Sequence, residues 1–288
     1  MKKYELTTNT KMHLGRKLFQ IKALVSFGGV EKGDLGGYIE KEDNLDHSGD
    51  AWVYGDARVY GDAWVSGNAR VYGDARVSGN ARVSGNAWVC GNARVYGDAW
   101  VSGNARVSGD AWVSGNACVS GAARVSGNAR VSGAARVSGD AWVSGNARVS
   151  GDACVSGAAR VSGNAWVSGN ACVSGDARVS GNAWVSGNAC VSGAARVSGN
   201  ARVSGDAWVN NTSDCICFKG FGSCCRTTTM FRAKNGDILV KCGCFQGNLE
   251  EFEAKVKETH GSCKYAKEYL ACAEAAKIHF EIGENYDK

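Results

Sequence analysis

Between Ala51 and Val209 the chain alternates apolar and outward-facing positions in a near-identical unit, Ala-x-Val-Ser/Tyr-Gly-Asn/Asp in most copies, where x is Arg, Trp or Cys. Twenty-six complete copies follow one another without insertion or deletion, and a twenty-seventh begins at Ala207. In an extended backbone successive side chains point to opposite faces. In Ala57-Arg58-Val59-Tyr60, Ala57 and Val59 therefore share the inner side, while Arg58 and Tyr60 share the outer one. Gly61-Asp62 supplies the corner, because glycine reaches positive φ freely and Asn or Asp tolerates the left-handed region better than other residues. The pattern predicts one short strand and one corner per unit, stacked on neighbouring units. A single coil buries three Val and three Ala, each Val worth about 1.5 to 3 kcal/mol when fully buried. No coil is stable alone, so stability comes from stacking.

The flanks do not repeat. Residues 1–50 carry extended runs at Lys3–Leu6 and Leu18–Val25, then a glycine-rich passage around Gly33 to Ile39, and read as an N-terminal β cap. Solenoid ends expose strand edges and need covering, which gives both flanks a structural duty. Residues 210–288 change character. Extended runs at Cys215–Phe218, Thr227–Ala233 and Asp237–Lys241 surround a hairpin signal at Asn235-Gly236. A helix is expected to start at Asn248, with Glu251 completing a capping box and Leu249, Phe252 and Val256 forming its apolar stripe. A second helix is expected from about Lys264 to Phe280. The segment reads as a small α+β domain.

The repeat of residues 51–209 resembles the left-handed parallel β-helix of hexapeptide-repeat proteins, in which an aliphatic residue every six positions fills a triangular prism and three units make one coil. The resemblance implies an all-β solenoid of about nine triangular coils, and its left hand comes from the resemblance alone. Val30 to Ile39, leading into Gly49-Asp50-Ala51-Trp52-Val53, looks like the opening of the YdcK-like bacterial and prophage hexapeptide proteins, a family of unknown function. Gly243-Cys244-Phe245-Gln246-Gly247 is similar to C-terminal segments of related phage and gut-bacterial repeat proteins. Neither likeness brings a known reaction.

Composition narrows the function classes. The first residues carry no apolar signal core, and no uninterrupted apolar run is long enough to span a bilayer. Thirteen cysteines is an odd number, and five of them sit where the repeat puts them rather than in a disulfide framework, so a reducing cytoplasm is expected. A net charge of +5 permits weak attraction to polyanions but falls short of a dedicated nucleic-acid domain.

Hexapeptide acyltransferases resemble one another in a catalytic histidine and in clefts made where coils are interrupted. Residues 51–209 contain no histidine and no interruption. A degenerate acyltransferase is therefore the third reading, and neither a catalytic residue, a cofactor nor a metal site is expected. Paired thiols at Cys215-Ile-Cys217, Cys224-Cys225 and Cys242-Gly-Cys244 match zinc spacing poorly. Units three apart share a face, which aligns Cys118, Cys154, Cys172 and Cys190 as an exposed thiol ladder. A second face carries Arg58, Arg76, Arg94, Trp112, Arg130, Arg148, Trp166, Trp184 and Arg202. Within it Arg148, Trp166, Trp184 and Arg202 form the candidate binding patch, since Trp and Arg are common interface anchors. The sequence thus reads as a non-enzymatic scaffold that meets a protein partner. The alternative is a nucleic-acid or nucleotide-binding module. No membrane is expected, and the hexapeptide likeness implies a homo-oligomer, although the faces carry no obvious interface.

Overall fold

The computed structural model describes residues 2–222 and 224–281; Ser223 and 282–288, at the end of the 210–288 segment, lie outside it. The chain divides into two compact units, residues 1–158 and 159–288.

The first unit opens with an antiparallel hairpin, β1 (Tyr4–His13) on β2 (Arg16–Ala23), followed by β3 (Leu35–Ile39) antiparallel to β2. β3 then lies parallel to Arg58–Val59, pairing Tyr38 with Arg58 and Ile39 with Val59. Leu45 likewise bridges to Val65. These partners are twenty residues apart, whereas Trp52 pairs with Arg70 at the regular eighteen. Stacking therefore begins upstream of Ala51, through a coil with two extra residues. Buried polar groups close that coil. The Asn44 amide donates to the carbonyls of Gly61 and Ala63 at 3.0 and 2.8 Å, and Lys3 Nζ donates to that of Ala51 at 2.9 Å. Trp52 is an exception to the outward rule. It is 1 % exposed because Tyr4 and Phe27 pack edge-on against it, with ring centroids 6.1 and 5.4 Å away.

From Trp52 to Val209 every strand is two residues long, the x residue and its Val. That is shorter than the four-residue strand the alternation predicts, because backbone bonds such as Ala69 N–H to the Ser66 carbonyl, 3.3 Å, already turn the chain at the corner. Bonds such as Arg58 N–H to Ala75 O, 2.9 Å, tie each coil to the next. Val and Ala fill the interior at 0–1 % exposure. Along the chain the described residues contain twenty-seven such strands, nine coils' worth, and the β3 passage adds most of a tenth. Corner glycines are left-handed, and at Gly103, φ +68°, an added Cβ would sit 3.0 Å from the Gly121 nitrogen. Next to the glycines, corner amides form ladders: Asn68 Nδ2 donates to Asn86 Oδ1, and Asn86 to Asn104, both at 3.1 Å.

In the second unit three coils lead into a four-stranded antiparallel meander, in the order Cys215–Phe221, Arg226–Arg232, Ile238–Cys242, Phe245–Asn248. The last of these strands was not among those expected. α1 (Leu249–His260) starts as predicted, with Glu251 N–H donating to Asn248 Oδ1 at 2.8 Å and Asn248 N–H donating to the Glu251 carboxylate at 2.9 Å. α2 covers Lys264–His279. Met230, Val240, Phe252, Val256, Ala273 and Phe280 share one core between sheet and helices. The sheet also closes the coil stack: Arg202 N–H donates to Thr229 Oγ1 at 3.0 Å, and Ala207 bridges to Ala233. Among the described residues no helix is long and apolar enough to cross a membrane.

Candidate functional site

The two-residue strands fix the outward side chains. With x pointing away from the core in every strand, residues eighteen apart in sequence become in-register neighbours one strand spacing apart. Trp166 pairs with Trp184 and Trp184 with Arg202. The two indoles stack with centroids 4.8 Å apart and planes 5° from parallel. The Arg202 guanidinium lies 5.6 Å from the Trp184 ring centre, within cation–π reach. The Trp184 ring is pinned from its other edge, since its Nε1 donates to Ser168 Oγ at 3.5 Å. Trp184 is exposed and Trp166 half-buried. Three of the four predicted binding residues are thus brought together in the second unit. Arg148 belongs to the first unit, where it is exposed and in register with Arg130.

The first unit holds two related arrangements. Trp112 is sandwiched by Arg94 and Arg130, whose guanidinium carbons lie 5.0 and 4.8 Å from its ring centre. Trp88 sits between Arg70 and Arg106 at 5.8 and 4.6 Å. The second sandwich was not singled out from sequence, although sorting its x positions by eighteen would have exposed it. At Trp88, Trp100, Trp112, Trp142 and Trp184 the residue sixteen before meets the indole. Serine there accepts the indole N–H, as Ser84 does from Trp100 and Ser126 from Trp142, both at 3.2 Å. Tyrosine packs edge-on instead, as Tyr72 does on Trp88 and Tyr96 on Trp112, both at 6.2 Å. Tyr72 also bonds to the Cys90 thiol, which, with burial, pushes its hydroxyl up to about 12.

The thiols expected as a ladder share the predicted register where it is described. Cys172 pairs with Cys190 in the second unit, and in the first Arg136 lies between Cys118 and Cys154. None of the four is in a disulfide, and all are half-buried rather than exposed. A short side chain in a row of Arg and Trp is shaded by its longer neighbours. In the C-terminal domain the Cys215 thiol bonds to Cys217. This bond, aided by the Thr229 hydroxyl, brings Cys217 down to about 7 and drives Cys215 the other way. Among the described residues no three His, Cys, Asp or Glu side chains gather into a metal shell. His47 is engaged in the cap, where its Nδ1 accepts the Lys3 N–H at 3.2 Å and its ring stacks on Tyr4 at 4.4 Å.

The repeat is diagnostic at this point. A family model described as YdcK Beta solenoid repeat matches residues 51–67, 63–77, 75–91, 87–103, 99–115, 123–139, 141–157, 159–175, 171–187, 177–193 and 195–211, together more than half of the chain. The chain belongs to the YdcK β-solenoid family. No curated protein sequence matches it. The YdcK match covers the coils and their Trp and Arg columns and stops at residue 211, ahead of the meander and helices.

Proposed function

We propose that this YdcK-type solenoid is a non-catalytic scaffold whose outward Trp and Arg side chains engage a protein partner, in a reducing cytoplasm. The observation that carries the reading is the stack of Trp166 on exposed Trp184 with Arg202 against it. Solubility alone gives no reason for two indoles and a guanidinium to sit together at the surface, and Trp and Arg are the usual anchors of interfaces. The coil interiors, packed with Val and Ala, offer no space for a ligand. The absence of histidine from residues 51–209 leaves the acyl-transfer reading without a base. The thirteen cysteines, free of disulfides among the described residues, support a reducing compartment.

The test compares the full chain with the Trp166→Ser, Trp184→Ser double variant as baits, then measures the affinity of the purified captured partner for each. The expected result is a loss of about tenfold, or 1.4 kcal/mol, with the fold intact. Equal affinity would move the function to the terminal segments.

A nucleic-acid reading rests on one further observation. Arg160, Arg178 and Arg196 stand in register on one face of the second unit, all exposed, and a row of guanidiniums at strand spacing attracts phosphates. Retention on immobilised DNA that falls steeply with salt would favour it; elution at low salt would favour the scaffold. Self-association is a separate proposal, read directly by sedimentation.

A further inference from the structure

The C-terminal domain holds a cleft of about 590 Å3 that the scaffold reading does not use. Its apolar side comes from Phe245, beside the helix, and from Phe252 and Val256 on the α1 stripe. Phe245 and Phe252 lie 5.5 Å apart, and Tyr269 from α2 meets Phe252 edge-on at 5.9 Å. His260, at the end of α1, stacks on Tyr269 with centroids 5.7 Å apart. Flat aromatic surfaces therefore wall the cleft.

Its charged rim has one sign. Arg226 and Lys255 line it, and among the described residues no carboxylate does. Lys255 has an exposed partner in Glu258, 3.0 Å away, outside the lining. Arg226 makes no ion pair among the described residues. Its guanidinium is settled against Gly243, where an added Cβ would lie 2.3 Å from Nη1. Glycine at 243 thus clears the space in which the arginine lies. The Tyr269 hydroxyl, buried and close to Cys242, is pushed up to about 12 and stays a hydrogen-bond donor at neutral pH. A cleft of this volume, apolar inside with a few convergent polar groups, is the usual form of a small-molecule site. Its one-sided charge specifies the sign of the ligand.

We propose that this cleft binds a small organic anion with a flat apolar body, an aromatic carboxylate, sulfonate or phosphate, with the ring against Phe245 and Phe252 and the anion between Arg226 and Lys255. This goes beyond the scaffold reading and does not depend on it. The probe is 8-anilinonaphthalene-1-sulfonate titrated into the full chain by fluorescence, with neutral N-phenyl-1-naphthylamine as the uncharged counterpart. The Arg226→Ala, Lys255→Ala double variant alters two exposed side chains, and an unchanged melting curve verifies its fold. The sulfonate is expected to weaken by about fivefold or more in that variant, the loss of charge-assisted contacts, while the neutral probe is unaffected. The sulfonate is also expected to slow alkylation of Cys244, exposed and lining the cleft, but not of Cys217, which does not line it. Unchanged sulfonate affinity in the variant, an equal loss for the neutral probe, or no protection of Cys244 would each overturn the proposal.

Discussion

The indole of Trp166 lies face to face with that of Trp184, centroids 4.8 Å apart and planes within 5° of parallel. Parallel stacking at about this separation is among the arrangements that aromatic pairs favour. Here the separation matches the spacing of neighbouring strands, so backbone register sets the stack. The surface chemistry of the coils is thus written by the spacing of residues in sequence, eighteen apart.

Two indoles held this way couple electronically, and Trp184→Ser is expected to abolish the resulting exciton signal in circular dichroism. The melting transition should fall by no more than the worth of one surface aromatic pair, about 0.5 to 1.5 kcal/mol. A signal that survives the substitution would mean that the rings are not stacked in solution.

Val131 is fully buried in the first unit. Val131→Asp places a carboxylate among Val and Ala with no partner, a cost of several kcal/mol, and is expected to yield insoluble or unfolded protein. A soluble variant with the wild-type β spectrum would show that Val131 does not point inward.

Two glycines separate conformational strain from steric clash. Gly103 and Gly15 both have positive φ, +68° and +77°, but only at Gly103 does an added Cβ meet another coil, 3.0 Å from Gly121, while at Gly15 it meets nothing within 4 Å. Gly15→Ala is expected to cost about 1 kcal/mol, the penalty of the left-handed conformation, and Gly103→Ala clearly more. Denaturant midpoints of the two variants check the difference, and equal shifts would contradict the tight corner.

Cys217 is exposed, and its folded pKa of about 7 lies below the ordinary thiol value of 9.0 because Cys215 and then Thr229 bond to it. Alkylation of Cys217 should therefore rise with pH and level off just above 7. The sign for stability follows: the thiolate bond is fully present above pH 9 and is lost as pH falls through 7. Cys215→Ala removes the thiol that bonds to Cys217 and is expected to move the alkylation midpoint up by about one pH unit. Mass-spectrometric rates across pH measure both.

The coils were legible because Val recurs every six residues and Gly marks every corner, two signals that agree unit after unit. The α1 start was legible for a similar reason, since Asn248 and Glu251 form a local motif. The parallel pairing of Tyr38 and Ile39 with Arg58 and Val59 was not, because the two extra residues of that coil break the repeat phase. Strand Phe245–Asn248 hid behind Gly247 and Asn248, residues that are poor in strands and good at helix starts. Trp52 carries the outward position of its unit yet is buried, and only the fold of Tyr4 and Phe27 over it explains why. In the candidate face, register was readable from sequence but shading was not. Cys172 and Cys190 pair as expected, yet how far a thiol is covered depends on the rotamers of its neighbours. The cleft beside Arg226 needed three dimensions, since its walls come from separate strands and both helices.

The corner amides give the solenoid a direction of reading. Where an asparagine or aspartate stands eighteen places on, an asparagine passes a hydrogen forward to it, as Asn170 does to Asn188 and Asn188 to Asp206. An aspartate can receive that hydrogen but has none to hand on, so Asp98, Asp110 and Asp206, each the acceptor for an asparagine one coil earlier, act as full stops. Asparagine and aspartate look interchangeable at the corner, but the grammar is asymmetric: Asn to Asp inside a run sets two acceptors facing each other, whereas Asp to Asn at its end only lengthens the phrase.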